Sequence, residues 1–152
     1  MRSTVQKLKY LLAVLTISLS LPAFALDAIN TTRFGNVAIE GYDPVAYFTE
    51  NKPVKGNKKH EYKWMDAKWR FSSQENLDKF RENPEQYAPQ YGGYCAYAVS
   101  KNGTASIDPD QFTVLNGKLY LNYNEKVNTL WNADRDNYIQ AADKNWPELL
   151  KK

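Results

Sequence analysis

A single cysteine, Cys95, limits how this chain of 152 residues can hold itself together. One thiol cannot close an internal disulfide, so the fold must be stabilised by packing alone. The material for that packing is aromatic, with 4 Trp, 11 Tyr and 6 Phe. Rings bury large areas, which makes them the natural substance of the core. Cys95 lies in the segment from Tyr87 to Tyr97, beside Gly92-Gly93 and among the tyrosines 87, 91, 94 and 97. Adjacent glycines let a backbone pass close to something bulky, and a soft sulfur ligand or nucleophile follows two residues later.

The first 25 residues read as a secretory signal peptide. Arg2, Lys7 and Lys9 form a positive start, Leu11 to Leu21 is apolar, and Ala23-Phe24-Ala25 is a small-x-small cleavage pattern. The apolar stretch is short for a membrane span, and nothing later is apolar enough to be one. A soluble periplasmic or secreted product follows as an expectation. The chain carries 20 basic and 17 acidic residues, and residues 1–25 hold three of the basic ones. The remainder is balanced at 17 of each sign, which removes any electrostatic case for nucleic-acid binding.

Residues 26–36 read as a polar lead-in, followed by one domain over 37–150. Asp43-Pro44 has the form of a helix start, with Asp as N-cap and Pro at the first position, for a short helix over 45–48. Asn51 to Lys59, with Pro53, Gly56 and its lysines, reads as a surface loop. Glu61 to Met65 and Trp69 to Phe71 alternate around Asp66-Ala67-Lys68, which predicts a hairpin. Ser73 is placed to cap a helix running to Glu82, with Leu77 and Phe80 on its buried face. Asn116-Gly117 between Phe112–Leu115 and Lys118–Asn122 is the strongest hairpin signal in the chain. From Glu125 two helices are expected, one with a Val127, Leu130 and Trp131 stripe, the other with Tyr138, Ile139 and Ala142. Asn145-Trp146-Pro147 reads as the stop of the second. The fold class is α+β: a small single domain of β-hairpins packed against short helices, with a helical C-terminal segment.

Several of these segments, taken in order, resemble the small exported YHS-domain proteins of bacteria. Gly41-Tyr42-Asp43-Pro44-Val45-Ala46-Tyr47-Phe48 looks like their opening signature. Trp69-Arg70-Phe71-Ser72-Ser73, Phe80 and Asn83-Pro84-Glu85-Gln86-Tyr87 look like the hairpin-plus-helix core. Tyr91-Gly92-Gly93-Tyr94-Cys95-Ala96, Gly117-Lys118-Leu119-Tyr120-Leu121 and Asn145-Trp146-Pro147 complete the resemblance, which spans 37–147. The wider group includes modules attached to metal-handling proteins, where a Phe-Cys-Ser-x-x-Cys run supplies two thiolates suited to soft metals. With Phe71 and Phe80 in register, this chain has Ser72 and Asn76 at those two positions. That pair therefore brings no metal chemistry across.

The remaining candidates are few. Cys95 reads either as a metal ligand, redox thiol or nucleophile, or as a small buried hydrophobe beside the tight Gly92-Gly93 turn. His60 is the only histidine and would make a Cys–His pair if it met Cys95 in space. Asp43 reads as a helix cap first and a ligand second. Tyr91 and Tyr94, with Gly92 and Gly93, are candidates to line a ligand pocket at Cys95. Phosphate loops, nucleophile elbows, HExxH and CxxC motifs are all missing from the sequence. The chain reads as a binding protein more than an enzyme. Its expected ligand is a small molecule or a soft metal such as copper or zinc, held near Cys95 with His60 or Asp43. A thiol-dependent redox protein and an envelope accessory protein with protein partners are the alternatives.

Overall fold

The computed structural model describes residues 25–152; the signal peptide expected over 1–25 lies outside them, Ala25 excepted. The chain is α+β, with two separate antiparallel hairpins and six α-helices among the described residues. In order they are α1 (Ala46–Thr49), β1 (Asn57–Trp64), β2 (Ala67–Phe71), α2 (Gln74–Glu82), α3 (Pro84–Tyr87) and α4 (Ala96–Ser100). Then follow β3 (Phe112–Leu115), β4 (Lys118–Leu121), α5 (Glu125–Ala133) and α6 (Arg135–Leu149). No helix among the described residues is long and apolar enough to cross a membrane.

The first hairpin builds the larger core. Ala67, Trp69 and Phe71 alternate inward along β2, as a strand with one buried face requires. Leu77 and Phe80, one turn apart on α2, close over them. The Phe80 ring sits 5.0 Å from that of Trp69, 5.2 Å from Phe71 and 5.7 Å from Trp64, in the tilted and edge-on arrangements aromatic rings prefer. Ser73 caps α2 as expected, its side chain accepting from the Asn76 amide.

Two boundaries of this hairpin differ from the sequence reading. β1 begins at Asn57, inside the expected surface loop, because an irregularity between Asn57 and Glu61 keeps the strand paired back to Phe71. The turn is Met65-Asp66 rather than Asp66-Ala67-Lys68, with both residues at positive φ. Two left-handed residues match the strand twist, and this register puts Ala67, Trp69 and Phe71 together on the core side. The burial of that face outweighs the cost of a left-handed methionine.

The second hairpin turns at Asn116-Gly117, both at positive φ, as the sequence demands. Its β4 strand is buried on both faces. Leu119 and Leu121 enter the first core, while Tyr120 enters a second one with Tyr91, Val99, Trp131 and Ala142. On α5, Trp131 is fully buried and Leu130 is exposed, so the expected stripe is narrower than read. The helix α6 runs past Pro147 to Leu149 instead of stopping there. Proline removes one helical donor, but Trp146 and Leu149 pack into the second core and hold the last turn. Asn145 faces inward, its amide donating to the carbonyls of Val99 and Ser100 at the end of α4.

Residues 26–36 do more than lead in. Ile29 is buried, and the backbone of Asn30 donates to the Gly92 carbonyl at 2.8 Å while its side chain donates to that of Gly93. Further on, the Ala38 N–H donates to the Lys68 carbonyl and the Lys68 N–H to the Asn36 carbonyl, a parallel bridge at Val37 that lays the chain along the edge of β2. The crossing explains Gly92: a Cβ there would stand 1.9 Å from the Ala28 carbonyl oxygen, and φ is +61°. The bulky neighbour that the double glycine admits is the chain's own N-terminal strap. Gly92→Ala should therefore lower stability by about 2–4 kcal/mol, combining left-handed strain with displacement of the strap. Urea denaturation checks this, and an unchanged midpoint would contradict the crossing.

Candidate functional site

Asp43 is fully buried, and among the described residues it forms no salt bridge. Its Oδ1 accepts from the backbone N–H groups of Val45 at 2.8 Å and Ala46 at 3.3 Å, an Asx-type cap of the turn that leads into α1. The N-cap position of α1 itself is Val45 rather than the expected Asp43. Its Oδ2 accepts three more bonds: the Ser72 N–H at 2.9 Å, the Ser72 hydroxyl at 2.8 Å and the Asn76 side-chain amide at 2.8 Å. Ser72 ends the first hairpin and Asn76 sits in the first turn of α2. The two positions at which the resemblance places thiolates are occupied here by neutral donors aimed at one carboxylate. Every lone-pair direction of Asp43 is taken from inside the protein, so the residue is structural and unavailable as a ligand.

Cys95 stands at the start of α4, buried, with its Sγ 3.6 Å from Asn122 Oδ1. Asn122 is fully buried as well and satisfies several elements at once. Its side-chain oxygen accepts from the Tyr97 N–H, its amide donates to Asn128, and its backbone pairs with Gln111 and Asp108. Burial pushes the Cys95 thiol up, against weaker opposing bonds from the backbone at Ala98, Tyr123 and Tyr97. A nucleophile, redox thiol or metal ligand needs the thiolate, which this setting disfavours.

His60 lies half-buried on β1, its Nδ1 3.4 Å from Gln74 Oε1. Asp43, Cys95 and His60 thus have three separate sets of partners. Among the described residues no three His, Cys, Asp or Glu side chains come together in a group that could hold a metal. Copper or zinc does not fit this donor arrangement.

The tyrosines divide. Tyr87 packs edge-on against Phe48 and Tyr97 against Tyr138. The Tyr94 hydroxyl donates to the Asp27 carbonyl on the strap. Tyr91 is buried, holds φ +58°, and its hydroxyl donates to Asp143 Oδ1 at 2.8 Å. Tyr91 and Gly92 also line a cavity of about 430 Å³, which Cys95, Gly93 and Tyr94 do not. Its other walls include Ile29 of the strap, Trp64 of β1, and Trp146 and Leu150 at the end of α6. Trp64 belongs to the first core and Trp146 to the second, so the cavity lies on the seam between them. A second cavity of the same volume, around Thr32, Arg33 and Ile107, has no aromatic wall. Sequence reading found Tyr91 and Gly92 but missed Trp64, Trp146 and Asp143; only the aromatic excess hinted at them.

Hairpin, capped helix and the aromatic cluster around Phe80 define a small α+β module with a buried carboxylate at its start. The family model described as "YHS domain" matches residues 45–91, and the chain contains a YHS domain. No curated protein and no solved structure matches the chain. The matched span begins at Val45, whose N–H is bonded to Asp43, and ends at Tyr91 on the cavity wall.

Two outcomes follow from these environments. Asp43→Asn places an amide donor among the donors that now share the carboxylate, and stability should fall by about 2–4 kcal/mol, measured by chemical denaturation. The pH dependence is set by acids whose protonated form is favoured in the fold. Burial raises the Cys95 thiol and the phenols of Tyr47 and Tyr91, the last also through its bond to Asp143. Each folded pKa lies above its unfolded value, so the unfolded chain releases these protons first. Stability should hold through neutral pH and decline as pH rises through the ordinary thiol and phenol ranges, about 8.5 and about 10. A denaturation midpoint that stayed level to pH of about 11 would contradict this.

Proposed function

We propose that this protein acts outside the cytoplasm as a non-catalytic binding protein, taking a small organic molecule into the cavity at Tyr91 and Gly92. The cavity itself carries the reading. It has the size and the largely apolar, aromatic lining of small-molecule sites, and it lies between two packed units, where such sites concentrate. The ligand expected from the sequence near Cys95 moves in this reading to the cavity at Tyr91 and Gly92, which Cys95 does not line. Supporting the export half are the charged start, apolar stretch and small-x-small motif of residues 1–25.

The four tryptophans make the test direct. The neutral apolar probe N-phenyl-1-naphthylamine should shift the indole N–H resonances of Trp64 and Trp146 and leave that of Trp131, which is fully buried in the second core away from the cavity wall. No shift at Trp64 and Trp146, or a shift confined to Trp131, would overturn the reading.

A further inference from the structure

Within that cavity the polar groups are unevenly signed. Asp143 and Glu85 supply two carboxylates, and Lys118 is the one cation in the lining. Asp143 Oδ1 accepts from the Tyr91 hydroxyl, and the described residues give its Oδ2 no bond. Tyr91 in turn is fixed by burial and lies 6.3 Å from the Trp146 ring, centroid to centroid, so phenol, carboxylate and indole form one connected wall. The Trp64 indole is a further part of the lining. Indole faces attract positive charge through their quadrupole, and a carboxylate beside them reinforces the attraction.

We infer that the cavity selects an organic cation, a substituted or quaternary ammonium whose apolar body lies against Trp64 and Trp146 and whose charge faces Asp143. The inference rests on the cavity being the binding site. A substituted ammonium can donate an N–H to Asp143 Oδ2, and a quaternary one meets the carboxylate and the indole faces through its charge alone. An anionic ligand would meet two carboxylates and is disfavoured by the same lining.

The test compares two probes of one shape, (4-hydroxyphenyl)trimethylammonium and neutral 4-tert-butylphenol, titrated against the protein with the Trp64 and Trp146 indole resonances as readout. The cation should bind about 10-fold more tightly than its neutral twin. Asp143→Asn, which keeps an acceptor for the Tyr91 hydroxyl while removing the charge, should shrink that preference to about 2-fold or less. Equal binding of the two probes would overturn the cation inference and leave the cavity standing as a site. Binding of neither would overturn both. A preference that survived Asp143→Asn in full would overturn the role given to Asp143.

Discussion

The first half of the molecule depends on a buried negative charge with no positive partner. Taking a carboxylate out of water costs several kcal/mol unless the lost hydration is replaced. Around Asp43 it is replaced bond for bond, by the backbone amides of Val45 and Ala46, by the N–H and hydroxyl of Ser72, and by the Asn76 side chain. Bonds to an ionised acceptor are about twice as strong as neutral ones, so the group is well compensated. The arrangement fixes three pieces against one another: the start of α1, the end of the first hairpin and the first turn of α2. Phe80 can reach Trp64, Trp69 and Phe71 together because that junction sets the angle at which α2 leaves the sheet.

Asn122 plays the corresponding part in the second half. It is neutral, so its burial is cheaper; the two ends of its amide join α4 to α5, and its backbone adds the loop at Asp108 and Gln111. Cys95 belongs to this junction, where its thiol fills space beside the amide oxygen. Tyr47 links the two halves, its hydroxyl donating to the Pro109 carbonyl at 2.8 Å. The chemistry that the lone thiol suggested gives way to packing, which is the usual fate of a cysteine with neither solvent nor a cation nearby.

What could be read from the sequence was whatever is encoded between near neighbours. Ser73 and Asn76 are three residues apart, Asn116 and Gly117 adjacent, and Leu77 and Phe80 one turn apart; each signal was found in place. The cap role of Asp43 toward Val45 and Ala46 was legible for the same reason, while its bonds to Ser72 and Asn76 cross about 30 residues and leave no local trace. Gly92 announced a close approach without naming the neighbour, since Ala28 lies far away in sequence. Pro147 misled because a helix end is decided by both local breakage and tertiary burial, and Trp146 and Leu149 supply the burial. The cavity was hidden for the most general reason: a space between two cores is a property of neither alone.

That seam has a thermodynamic side. Its walls come from the strap at Ala28 and Ile29, the first hairpin at Trp64, the bend at Tyr91 and Gly92, and the end of α6. The space exists only while all four are docked, so a molecule held there has affinity for the assembled chain and none for its separated parts. Mass action then turns occupancy into a load shared across the whole fold, growing with the logarithm of free ligand. An occupant would act as a removable keystone, tying the first described residues of the chain to its last.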